Sequence, residues 1–276
     1  LIKHIYSINF TAILQMNSYN ELKIHENTNI YSLGFNNGIY NLQTKTLLNY
    51  TDNDYVSNHI KYDYIEYDIN NQYIIEIEQF FNDIQQNTNI KSLLLCYTSS
   101  FLIGKNYDKK MMILLGQIDN YSKNIYIELL KLTFGDYFNT IKTTYNGIKN
   151  EYVNSLLHDK ENLKILMLKE IKINVNVNEN IKKTKYYSTF KYQPQFKVIL
   201  NCNELPQELN MMDKAIQNRI ILFDFTTFNN VSINHNKQFI NNLHLYKNAF
   251  MWLLINKYYP TYCEIGLKKL INNCHE

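Results

Sequence analysis

Apolar residues follow two kinds of pattern along this chain, and the change from one to the other organises it. Over residues 73–86 they recur at Ile74, Ile77, Phe80, Phe81 and Ile84, the spacing of a helix that buries one face. A second helix is expected over residues 90–103, stopped by Gly104. Short apolar runs then take over. They are Met111–Leu115 ending at Gly116, residues 163–168 ending at Lys169 and Glu170, residues 196–200 ending at Asn201, Cys202 and Asn203, and residues 220–225. Runs of this length with no polar face suit parallel strands covered on both sides by helices. A helix is expected between the first two runs, over residues 123–134, and closing helices over residues 235–258 and 262–273. Near the start, two short apolar segments flank Asn36, Asn37 and Gly38, an Asn-Gly hairpin signal.

The expected architecture is therefore α/β. An irregular polar segment (1–29) precedes a small mixed domain (30–108), a sheet-bearing core (109–234) and a helical tail (235–276). Composition allows this: 276 residues, 45% hydrophobic and 14% aromatic, can bury a sizeable core, which excludes wholesale disorder. The net charge of +3 is too mild to indicate nucleic acid by itself. The four cysteines are scattered, with no C-x-x-C pair, so a reducing compartment is expected, without a zinc site or disulfide framework. No apolar run approaches the roughly 18 to 20 residues of a membrane span, and the start shows no secretory signal. The expectation is a cytoplasmic protein, at a viral replication site or in the host cytoplasm or nucleus, without a membrane partner. A start at Leu1 rather than Met leads us to expect a fragment with a missing upstream domain.

Asn, Ile, Lys and Tyr are over-used, and Arg219 is the sole arginine. In a background that favours lysine, its retention is either chance or a need for a planar, permanently charged fork.

Polar groups stand at the ends of the successive apolar runs, where open α/β sheets form their ligand crevice. Glu170 after one run is placed to orient a water or to hold magnesium. Asn203 after the next is placed to position a phosphate, and Arg219 before the last to neutralise a transferred phosphoryl group. All are expected at one rim of one sheet, together with Gly116. Each has a plainer reading, a solvated carboxylate for Glu170 and a turn residue before Pro206 for Asn203.

In order and wording these segments resemble the superfamily 3 helicases, of the poxvirus-type and phage P4-type primase-helicases of large DNA viruses and mobile elements. The resemblance begins in LGFNNGIYNL, Leu33 to Leu42, with Asp54-Tyr55 and Tyr62-Asp63-Tyr64 behind it. It runs on through Leu94 to Gly104, the loop after Met111–Leu115, and Phe134-Gly135-Asp136-Tyr137. Pro194 to Lys197, Asn203-Glu204-Leu205-Pro206, Arg219-Ile220 and the tail KNAFMWLLINKYY with Gly266-Leu267 follow in family order. The order, rather than any single motif, carries it. The resemblance implies an AAA+-like P-loop sheet with flanking helices in a ring-forming ATPase that translocates on DNA during replication. ATP and Mg2+ would be cofactors. The oligomer would be a homo-hexamer, or a hetero-oligomer with a related subunit. Glu170 would be the Walker B acid and a metal-holding residue, Asn203 the sensor 1 residue, and Arg219 the arginine finger that reaches a neighbouring subunit's ATP.

Two departures stand against that pattern. The phosphate cradle G-x-x-x-x-G-K-[ST] needs two glycines, a lysine for the terminal phosphates and a hydroxyl for magnesium. Candidate nucleotide-binding residues are Gly116, Asn120, Ser122, Lys123 and Asn124. Counted from Gly116, Tyr121 replaces the second glycine, Ser122 the lysine and Lys123 the hydroxyl residue. Counted from Lys123 as the lysine, the loop has one residue too many, Ser122 replaces glycine and Asn124 the hydroxyl. Asp119 adds negative charge beside it. The second departure is the family's glycine-bearing, arginine-bearing pore hairpin, which is missing. Lys182, Lys183 and Lys185, with aromatics nearby, are candidate DNA contacts in its place, or else a solvated lysine loop. The alternative to a working helicase is thus a pseudo-ATPase that acts as a scaffold or assembly subunit of a replication complex.

Overall fold

A computed structural model of the chain describes residues 30–51, 58–117, 119–144, 163–171, 196–205, 214–228 and 239–274. Five strands form its central layer: β4 (Met111–Leu115), β5 (Phe138–Thr144), β6 (Ile165–Ile171), β7 (Lys197–Cys202) and β8 (Ile220–Asp224). They lie in the order β5-β6-β7-β4-β8, and every neighbouring pair is parallel. Alternation along β4 explains why its sequence is apolar throughout. Met112 and Leu114 enter one core with the helices, whereas Met111 and Ile113 enter a second core on the opposite face, beside Val198 and Leu166. Strand β5 is additional to the four expected runs. Its polar residues, Asn139, Thr140, Lys142 and Thr143, hide it from a search for apolar stretches.

Helix α3 (Tyr121–Phe134) connects β4 to β5 and packs into the first core through Ile125, Tyr126, Leu129 and Leu130. It ends at Gly135, whose φ of 51° turns the chain through a conformation other residues resist. Asp136 then meets the Lys61 ammonium at 3.0 Å, and the Tyr137 hydroxyl accepts the Gly34 N–H at 3.0 Å. The Phe134 to Tyr137 motif thereby fastens the large sheet to the N-terminal one.

That smaller sheet is an antiparallel meander of β1 (Ser32–Phe35), β2 (Gly38–Asn41) and β3 (Thr46–Leu48). The expected hairpin is present, but its register is displaced from the Asn-Gly signal. Phe35 pairs with Gly38, so Asn36 and Asn37 make the turn. Gly38 is needed for a different reason: a Cβ there would lie 2.3 Å from the Leu48 carbonyl oxygen of β3.

Helices before and after the large sheet share one core. Helix α1 (Gln72–Ile84) and α2 (Thr88–Ser99) each start on an asparagine cap, Asn71 and Asn87, one structural use of an asparagine-rich composition. A short α4 (Lys214–Gln217) precedes β8. Helix α5 (Leu243–Leu253) continues through a π-helical turn (Leu254–Tyr258) into α6 (Tyr259–Ile265). Gly266 separates that from α7 (Leu267–Asn272). Phe81 of α1 stacks on Phe250 of α5 with centroids 5.6 Å apart and meets Tyr126 of α3 edge-on at 6.2 Å. Along the same seam, carboxylates of the first segment accept from the tail: Glu66 from Trp252 at 2.8 Å, Glu78 from Tyr258 at 2.7 Å, and Glu76 from Tyr246. Among the described residues, no helix is long and apolar enough to cross a membrane.

Candidate functional site

Strand register decides which candidates meet. Leu115 pairs with Cys202 on one side and Asp224 on the other, so Gly116, Asn203 and Phe225 leave the sheet at one level. Main-chain bonds hold them there: Gly116 N–H donates to the Cys202 carbonyl at 3.2 Å, and Phe225 N–H to the Leu115 carbonyl at 2.8 Å. Lys169 pairs with Asn201, which brings the Glu170 backbone level with Cys202 at the same rim. Glu170 does not follow its strand, however. Pairing with β5 continues to Ile171, and Glu170 lies inside β6 opposite Thr143. Its side chain lies outside the described residues.

Arg219 is elsewhere, which corrects the expectation of a single rim. Its carbonyl accepts the Met111 N–H at 2.8 Å, at the start of β4, and β8 begins one residue later. Five residues of extended chain separate it from Asp224, about 17 Å at roughly 3.3 Å per residue. The physical reason is parallel pairing. A residue before a strand and a residue after its parallel neighbour lie at opposite edges of the sheet. Arg219 is half-buried there, beside the Lys110 ammonium, which donates to the Asn218 carbonyl.

The loop after β4 is organised by Asn120. Its side-chain oxygen caps α3 by accepting the Lys123 N–H at 2.9 Å, and its amide donates to the Phe225 carbonyl at 2.9 Å. Helix α3 therefore starts at Tyr121, two residues before the expected start, with Ser122 and Lys123 in its first turn and both buried. Lys123 folds back under the loop. Its ammonium donates to the Gly116 carbonyl and lies 3.3 Å from the Cys202 carbonyl, with the residue 1% exposed. Burial pushes its pKa down; Cys202 opposes that shift and the nearby Lys169 ammonium adds to it. Gly116 sits over this stem. A Cβ there would lie 3.2 Å from Phe225 Cβ and 3.5 Å from Lys123 Cδ. The Asn124 N–H makes an ordinary helical bond to the Asn120 carbonyl at 3.1 Å.

These residues do not fit a hydroxyl-held magnesium ion. In the count from Gly116, the position that would carry the hydroxyl is Lys123, and its cationic end already lies on the carbonyl oxygens at the ends of β4 and β7. Tyr121, at the second-glycine position, is 43% exposed at the loop's mouth. Lys182, Lys183 and Lys185 lie outside the described residues, as does Ile118 within the loop.

Sequence reasoning missed three lysines. Lys169, paired with Asn201 near the rim, acts on the Lys123 charge. Lys197 is fully buried, 2.6 Å from Ser100 Oγ and 3.8 Å from the Asp108 carboxylate, over the rings of Tyr97, Phe101 and Tyr262. Burial pushes its pKa down to about 8, against the pull of Asp108. Lys164 is buried against the Tyr137 ring, its ammonium 3.4 Å from the Ile30 carbonyl, and burial pushes its pKa down to about 7. The only signal of Lys164 and Lys197 in the sequence is a lysine at the start of an apolar run.

Comparison with known proteins gives this geometry a context. A family profile described as "D5 N terminal like" matches residues 22–86. "Putative helicase L207/L206" of Acanthamoeba polyphaga mimivirus is 28% identical over 192 residues, 64% of this chain. The likeness is to viral helicases of the primase-helicase kind. This chain spans 20% of that relative's length. Among solved structures, the apo A form of the NrS-1 C-terminal region is similar at a TM-score of 0.42 and 14% identity, over 63% of this chain and 44% of that one. An inhibitor-bound JCV helicase is similar at 0.36 and 14%, over 72% and 60%.

Proposed function

We propose that this chain is a subunit of a DNA replication helicase of the superfamily 3, AAA+ type, assembled as a ring on DNA. Its own nucleotide loop is degraded, and it works through Arg219. The observation that carries this reading is the separation of the two candidates. Gly116 and Arg219 stand at opposite ends of the adjacent parallel strands β4 and β8. Arg219 is too far from its own loop to neutralise charge there, and in this reading its guanidinium serves a phosphoryl group held by a neighbouring subunit. A planar, permanently charged fork suits that task and a lysine does not.

The loop supports the other half of the proposal. A lysine that binds the terminal phosphates must present its ammonium to them, yet Lys123 spends its charge on the carbonyls of Gly116 and Cys202. In the other count, from Gly116, Tyr121 adds bulk at the second-glycine position and Lys123 takes the place of the hydroxyl residue. The chain then acts in the ring as a DNA-bound scaffold that completes a neighbour's site. In this reading Asn203 and Glu170, at the rim beside the loop, have no phosphate of their own to serve.

The test is to purify the chain and measure ATP hydrolysis and unwinding of forked DNA, alone and mixed with an intact helicase of the same family. The reading expects neither activity alone, and expects the partner's hydrolysis to change when the chain is added. Hydrolysis by the chain alone that disappears in Lys123→Met would contradict it.

A further inference from the structure

A P-loop strand end ordinarily needs a divalent cation because the phosphate chain brings several negative charges to one place, and a hydroxyl in the first helical turn holds that cation. In this chain the residue at the hydroxyl position, seven after Gly116, is Lys123. Its ammonium is not directed away into solvent. It is held on two main-chain oxygens, those of Gly116 and Cys202, at the ends of two adjacent parallel strands. Carbonyl oxygens are the hard ligands a magnesium or manganese ion would itself take.

We infer that the Lys123 ammonium is a built-in cation standing at this strand end in place of Mg2+, so that the loop neither recruits a divalent metal nor gains nucleotide affinity from one. Two observations of geometry agree. The ammonium is buried and its geometry is closed from two sides, by Gly116 and Cys202. Asn120 fixes the turn that carries it, by capping Lys123 N–H and tying the turn to Phe225. Lys169, on β6, also acts on this charge and disfavours it.

The inference rests on reading Gly116 and Lys123 as P-loop positions, not on the chain being part of a helicase ring. The experiment uses the whole chain with ATP, and reads Mn2+ by water-proton relaxation and nucleotide affinity by a fluorescent ATP analogue, in Mg2+ and in EDTA. The wild-type chain is expected to hold no Mn2+ beyond that bound by free ATP, and any affinity for the analogue should agree within about twofold between Mg2+ and EDTA. Lys123→Ser removes the ammonium, frees both carbonyls and supplies a hydroxyl. It is expected to gain Mn2+ relaxation enhancement in the presence of ATP, with its fold checked by thermal melting.

Retention of Mn2+ by the wild-type chain, or an affinity that Mg2+ raises about tenfold, overturns the inference without need of any variant. A folded Lys123→Ser chain with no gain in Mn2+ retention also overturns it. If the wild-type chain binds no nucleotide under either condition and holds no Mn2+, the inference stands. The helicase-subunit reading is decided separately, by the effect on a partner's hydrolysis.

Discussion

The Asn120 carboxamide donates to the Phe225 carbonyl at 2.9 Å, tying the first turn of α3 to the end of β8. Because the same side chain caps α3 through the Lys123 N–H, one residue sets the shape of the loop. Asn120→Ala should lose the cap and leave a buried carbonyl without its donor, for about 1 to 3 kcal/mol in all. Asn120→Asp keeps the cap and loses only the donor, so it should fall between the two. Urea denaturation midpoints of the three chains give the order.

Lys197 and Asp108 should respond unequally to removal. Lys197→Met replaces a buried ammonium with an apolar group among Tyr97, Phe101 and Tyr262, and should leave stability close to wild type. Asp108→Ala leaves that ammonium buried beside Ser100 alone, and also removes the acceptor of the Tyr262 hydroxyl. A loss of about 3 kcal/mol is expected. Equal losses in the two variants would show that the carboxylate does not compensate the lysine.

Stability should rise with pH from neutral into the mildly alkaline range. Burial holds the folded pKa values of Lys164 and Lys197 at about 7 and about 8, below the ordinary 10.5. The folded state therefore releases these protons first, and the unfolded chain holds more protons from about 7 upward. Each lysine adds up to about 1.4 kcal/mol per pH unit in that window. The buried tyrosines oppose this only above 10, since burial raises Tyr62, Tyr97 and Tyr126 beyond their ordinary value. Denaturation midpoints measured from pH 7 to about pH 9 should climb, and Lys164→Met with Lys197→Met should flatten the climb. A midpoint that stays flat over that range would mean that the two lysines remain charged when folded.

Much of this was legible beforehand, for identifiable reasons. The strands at 111–115, 163–168 and 196–200 stood out because both faces of the sheet are buried there, and the edge strand at 220–225 because it is apolar even where Leu222 is exposed. Strand β5 did not, because a sheet-edge strand can carry polar residues such as Asn139 and Thr140. The exposed β3 gave no pattern at all. At the site, residue types were readable but not their direction. Nothing in the order Ser122-Lys123 says that the ammonium turns inward onto Gly116, because that depends on where the Asn120 cap starts the helix. The placement of Arg219 was misread for a topological reason. All five strands run the same way, so a residue before β8 cannot share a rim with residues after β4 and β7.

The measurement that bears most directly on the proposed role is the ATP hydrolysis rate of an intact family helicase mixed with this chain, wild type against Arg219→Lys. With the fold of both versions verified, the wild-type chain should raise the partner's rate and the lysine version should not, since a point charge replaces the planar fork. Equal rates with either version, or hydrolysis by this chain on its own, would contradict the account.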